Sequence, residues 1–133
     1  MGRGTTGALG DRAEQLAHEF LLDQGLRPVA RNFRSRGGEI DLIMLERRCL
    51  TFIEVRYRRS SGFMEPVVTV DRHKQRKIIR TAAMFAARNQ EFATLTMRFV
   101  VVALEGEDPP AITWIRDAFR PNDSTLRALI EFA

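Results

Sequence analysis

Two acids stand inside otherwise apolar runs of the stretch Gly38–Arg59, GEIDLIMLERRCLTFIEVRYRR: Asp41 in the first run and Glu54 in the second. Burying a carboxylate is costly unless it is paired, hydrogen-bonded or bound to a metal. With the period of two of a β-strand, Glu39 and Asp41 share one face, and Ile40, Leu42 and Met44 share the other. In the second run Phe52, Glu54, Arg56 and Arg58 share a face opposite Thr51, Ile53, Val55 and Tyr57. Neighbouring strands lie about 4.8 Å apart, so carboxylates on a common face can converge on one cation. Asp on one strand and Glu-x-basic on the next therefore describe a metal site with a fixed cation beside it. They describe equally an Asp41–Arg56 or Glu54–Arg56 ion pair inside the sheet, and spacing alone leaves both readings open.

The elements that must position these residues follow from periodicity. Glu39–Glu46 and Leu50–Arg58 read as adjacent strands joined by a charged turn at Arg47–Arg48. Ahead of them, Ala13, Leu16, Ala17, Phe20, Leu21 and Gln24 keep a helical period, which predicts a helix over Ala8–Gln24 that Gly25 ends. Its outer side is acidic, through Asp11, Glu19 and Asp23. Glu14 borders the apolar stripe and reads first as a solvated helix residue, and His18 as cover for the stripe's edge. Leu26–Phe33 reads as an edge strand that tolerates Pro28, and Arg34–Gly38 as a flexible basic turn. Beyond the pair, Arg58–Gly62 is a polar loop at the mouth of the expected site. A second helix is expected from an Asp71 cap to about Asn89, with Ile78, Ile79, Ala82, Ala83, Phe85 and Ala86 buried. Its first turns hold Arg72, Lys74, Arg76 and Lys77. Cations there oppose the helix dipole by about 0.3–1 kcal/mol each, which favours an anion site over a merely solubilising face. Leu95–Leu104 and Ala111–Arg116 complete the strands. Trp114 reads as a packing residue, and a short helix capped by Asp123 or Ser124 would dock Leu126, Leu129 and Ile130.

Composition sets the frame. The chain has 133 residues, 44% hydrophobic and 29% charged, which suits one compact domain. The expected division is a domain over 1–120 and a helical extension over 121–133. No membrane span or signal segment is expected. The single cysteine, Cys49, excludes an internal disulfide, reads as a small core residue and suggests a cytoplasmic location. With only two histidines, any metal should be a hard, oxygen-bound ion. A net charge of +4 suits an anionic partner.

The order helix, three strands, helix, strands, with Asp41 and Glu54-Val55-Arg56 placed as they are, resembles the PD-(D/E)xK nuclease superfamily. More closely, the chain resembles the YraN-like bacterial family, akin to archaeal Holliday-junction resolvases. The likeness runs from about Gly10 to Phe119. It includes Glu14, Ala17, Leu21 and Gly25 on the first helix, then Arg31-Asn32-x-Arg34. It continues through Gly38-Glu39-Ile40-Asp41-Leu42-Ile43, Phe52-Ile53-Glu54-Val55-Arg56-Tyr57-Arg58, Lys74, Lys77 and Trp114-Ile115-Arg116-Asp117-Ala118-Phe119.

That resemblance implies an α/β fold: a restriction-endonuclease-like αβββαβ core whose central mixed sheet is flanked by helices. It implies a DNA endonuclease-like protein hydrolysing phosphodiesters in structured or branched DNA, with Mg²⁺ or Mn²⁺ as cofactor. Asp41, Glu54 and the Val55 carbonyl would hold the ion, Glu14 would complete the acidic cluster, and Glu39 would hold a second ion or a water. Arg56 would stabilise transition-state charge, while Arg34, Arg36, Arg58, Arg59, Arg72, Lys74 and Lys77 would meet nucleic acid. DNA is the partner expected, no membrane is, and a homodimer is a candidate assembly. Two positions depart from the pattern. Arg56 stands where the superfamily has lysine, and arginine cannot serve as a base. Val100 stands where many relatives carry an acid. A binding module without efficient cleavage, or a structural Asp/Glu/Arg ion network, are the alternatives these departures keep open.

Overall fold

The computed structural model of the chain describes residues 7–59, 70–107 and 109–121. The expected N-terminal arm, the Ser60–Gly62 part of the polar loop and the C-terminal helix at residues 123–130 lie outside the described residues. The elements run α1 (Gly7–Asp23), β1 (Arg27–Ser35), β2 (Gly38–Glu46), β3 (Cys49–Arg58), α2 (Arg72–Arg88), β4 (Thr96–Glu105) and β5 (Ala111–Phe119). The strands form one mixed sheet in the order β1-β2-β3-β4-β5. Only β3 and β4 are parallel, and α2 is the crossover that such a pair requires. This is the α/β architecture of a restriction-endonuclease-like core.

Each helix covers one face. On one side Ala13, Ala17 and Leu21 of α1 pack with Leu42, Met44, Ile53, Val100, Val102 and Leu104. On the other, Ile78, Ile79, Ala82 and Phe85 of α2 pack with Ile40, Ile43, Leu50, Phe52, Phe99 and Val101. Small residues on the inner side of α1 let the helix lie close to the sheet. It stops where expected: Gly25 takes φ +97°, and the Leu26 N–H donates to the Leu21 carbonyl at 3.1 Å. Helix α2 also keeps its expected bounds, and the Asp71 carboxylate accepts from the Lys74 N–H at 2.8 Å.

Three local expectations are corrected. Arg34 and Ser35 belong to β1, so the flexible basic turn contracts to Arg36–Gly37. Strand β5 continues three residues past Arg116, to Phe119. Strand β2 does not keep its alternation. Ile40 packs beneath α2, whereas Leu42 and Met44 pack beneath α1, so the period of two breaks at Asp41.

Candidate functional site

The break at Asp41 is the point at which the sheet divides. Pairing of β2 with β3 runs from Glu46↔Cys49 to Leu42↔Ile53 and goes no further. The β1–β2 pairing skips the next position, where Asn32 takes the left-handed φ of 53°. Strand β3 continues beside β4 alone, through Arg58↔Glu105. The tip of the β1–β2 hairpin thus peels away from β3, and Asp41 and Glu54 stand at the fork. The Val55 N–H donates to Asp41 Oδ2 at 2.8 Å, so the carboxylate takes a β3 donor that a continuous ladder would use.

Between the fork and the first turns of both helices lies an open cavity of about 640 Å³. Glu14 from α1, Glu39 and Asp41 from β2, Glu54 from β3, and Lys74 and Lys77 from α2 reach its wall. Glu14 and Glu54 are buried, at 6% and 8% exposure. The solvated placement expected for Glu14 is therefore corrected: α1 sits close enough to the sheet to carry this residue inside. Gly10 and Ala13, small residues just before Glu14, were the sequence signal for that approach. Burial, and then repulsion from Glu54, push the Asp41 carboxyl up to about 8; Glu14 and Glu39 add to the repulsion, and the Val55 hydrogen bond opposes it.

Basic side chains answer part of this charge. Lys74 Nζ lies 2.6 Å from Glu54 Oε2. Arg56 Nε lies 3.4 Å from the same oxygen, within ion-pair distance, but its buried N–H lacks hydrogen-bond geometry to any acceptor. Arg34 Nε pairs with Glu39 at 3.2 Å. Sequence reasoning assigned Lys74 to the nucleic-acid backbone and missed its contact with Glu54, which only the packing of α2 on β3 creates. The other expected contacts are spread out. Lys77 lines the cavity, whereas Arg36 and Arg72 are exposed outside it. Arg58 is ion-paired with Glu105, and Arg59 lies 3.7 Å from Glu107. Val100 is buried under α1 beside Ile53, an apolar position in the core. Cys49 and Trp114 pack as expected, Trp114 edge-on to Phe20 at 5.9 Å. His18 is half-buried, and burial holds its imidazole below its ordinary value.

The donor set suits a hard cation with open positions. Among the described residues, no three His, Cys, Asp or Glu side chains form a ready metal cage. Mg²⁺ does not demand one, because it binds through one or two carboxylates and keeps waters or phosphate oxygens elsewhere. Asp41 and Glu54 could supply those two, and the repulsion that raises Asp41 is what a divalent charge would relieve. No helix among the described residues is long and apolar enough to cross a membrane.

Comparison with known proteins points one way. The model of the uncharacterised protein family UPF0102 matches residues 13–104, from α1 through β4. A UPF0102 protein of Saccharophagus degradans is 46% identical over 114 residues, covering 86% of this chain and 94% of the relative. The UPF0102 protein YraN of Escherichia coli O1:K1 is 47% identical over 116 residues, covering 86% of each chain. The matched span contains all four cavity carboxylates and both cavity lysines.

Proposed function

The chain belongs to the uncharacterised protein family UPF0102, and on that premise we propose that it is a Mg²⁺-dependent endonuclease-like protein acting on structured or branched DNA. The observation that carries the reading is the fork. Two strands part so that Asp41 and Glu54 face one open cavity together with Glu14, Glu39, Lys74 and Lys77. A structural ion network would have the acids close dry around Arg56; here they line a cavity rimmed by lysines.

In this reading Asp41 and Glu54, with the Val55 carbonyl, hold the ion, and Glu14 and Glu39 keep the cavity negative. Bound there, Mg²⁺ would supply charge against the phosphoryl oxygens and make a water more acidic. The Val55 N–H fixes the Asp41 carboxylate, and Lys74 fixes Glu54. Lys77 and the N-terminus of α2 attract the scissile phosphate. Arg56 acts as a fixed cation against the charge of the transition state and is no base. Arg34, Arg36, Arg59 and Arg72 meet the flanking backbone in a salt-dependent way. Arg58, held by Glu105, serves chiefly to brace β3 against β4. A cytoplasmic location belongs to the same reading, as does a homodimer, which sedimentation equilibrium would register as twice the chain mass.

Single-turnover cleavage of a four-way DNA junction in Mg²⁺ tests the proposal. Wild type should cut, Arg56→Lys should keep part of the rate, and Arg56→Ala should lose about a hundredfold, the cost of removing one transition-state donor. Full activity in Arg56→Ala contradicts its role. Binding of the junction without cleavage by wild type contradicts the enzyme and leaves a binding module.

A further inference from the structure

At the end of the sheet opposite the acidic cavity lies a second cleft of about 660 Å³. Arg47 and Arg48 from the β2–β3 turn, Arg98 from β4 and Arg116 from β5 line it, with Glu46 and Cys49 between them. Glu46 is ion-paired with both Arg98, at 3.8 Å, and Arg116. The Arg116 guanidinium also lies over the Trp114 ring, 4.2 Å from its centre. The nearby Asp117 is held by Arg120 at 2.9 Å. One carboxylate against four guanidiniums leaves the cleft strongly positive, and the brace of Glu46 and Trp114 fixes two of the four in place. Guanidiniums held in place match the spacing of phosphate oxygens.

Two further features point to a ligand. Arg47 takes φ 56°, a conformation in which Gly or Asn would be at ease. An arginine at position 47 goes against the backbone's preference, and the cleft gives it a use. The edge strand β1 begins two residues after Gly25, which lines the cleft, and runs back to the acidic end with Arg27, Arg31 and Arg34 exposed. The five steps along β3 from Cys49 to Glu54 span about 17 Å at strand rise, or about five nucleotides of backbone.

We propose that this arginine cleft is a second phosphate-binding site, which anchors a nucleic-acid backbone about five nucleotides from the acidic cavity. It rests on the nucleic-acid part of the function proposed above and is independent of the metal. Its test is therefore run in EDTA, where failure of metal binding or of cleavage has no effect on the readout.

The probes are a labelled DNA duplex of about 20 base pairs, long enough to cover both sites, a trinucleotide and inorganic pyrophosphate. Arg47→Gly combined with Arg48→Gln removes two charges and relieves the left-handed backbone, so the fold is retained. This variant should bind the duplex more weakly than wild type, with a log–log salt slope smaller by about two. Arg12→Gln, an equal loss of charge to Arg48→Gln but on α1, should leave the slope unchanged. Trp114 is the sole tryptophan, so its emission should shift when duplex is added to wild type and shift less in the double variant at the same duplex concentration. The trinucleotide, unable to span, should lose affinity in the double variant without differing from pyrophosphate in wild type. An unchanged slope in the double variant, or a drop of about one in Arg12→Gln, the full share of one charge, overturns the site. A Trp114 response to pyrophosphate tighter than that to duplex overturns the polynucleotide assignment.

Discussion

At the scale of single residues, Asp41 is the centre of the account. Its carboxyl is pushed up from 3.8 to about 8, so the folded chain holds a proton there that the unfolded chain releases near pH 4. Between those values the native state binds more protons, and stability falls as pH rises, by up to about 1.4 kcal/mol per unit. Denaturant titrations in EDTA at pH 5 and pH 8 should show this fall in wild type. Asp41→Asn carries no such proton and should narrow the difference, becoming the more stable protein at pH 8. A wild type as stable at the higher pH as at the lower, relative to the variant, contradicts the crowding of carboxylates. The sequence already marked Asp41 and Glu54, because an acid in an apolar strand needs compensation. Periodicity did not reveal that Glu14 is buried, although the family resemblance set it in the acidic cluster, nor that Lys74 meets Glu54, since both depend on how closely each helix approaches the sheet.

At the scale of elements, the fork depends on how β2 enters beneath α2. A Cβ at Gly38 would stand 3.2 Å from Thr81 Oγ1 and 3.6 Å from Lys77 Cβ, whereas one at Gly37 would meet only the Arg80 side chain, at 3.3 Å. Thr81 is fully buried and its hydroxyl donates to the Lys77 carbonyl at 2.8 Å, so it has little room to yield. Arg80 is exposed and swings aside. Gly38→Ala should therefore cost about 1–3 kcal/mol, as overpacking does, and Gly37→Ala far less, measured as shifts in thermal midpoint. Equal effects would place α2 further from the fork than described. Helix and strand order were legible from periodicity, and α2 from its Asp71 cap, because such signals are local. The parity of β2 was not legible. Counting by twos assumes an unbroken ladder, and the ladder breaks where Asn32 turns left-handed and β3 parts from β2. The arginine cleft was equally hidden, since Glu46, Arg98 and Arg116 come from three strands.

At the scale of the whole molecule, charge is segregated along the strands. The net charge is only +4, yet acids gather at the fork while arginines gather at the opposite end and along the β1 edge. A strand edge lined with arginine also resists pairing with another sheet, so the same residues that would meet phosphate keep that edge from aggregating. The central claim is that this arrangement focuses one divalent cation between Asp41 and Glu54. Calorimetric titration of the metal-free protein with Mn²⁺ tests it most directly. The account predicts one site per chain that Asp41→Asn and Glu54→Gln each abolish and that Arg56→Ala leaves nearly intact. Heat of binding unchanged in both acid variants would contradict it.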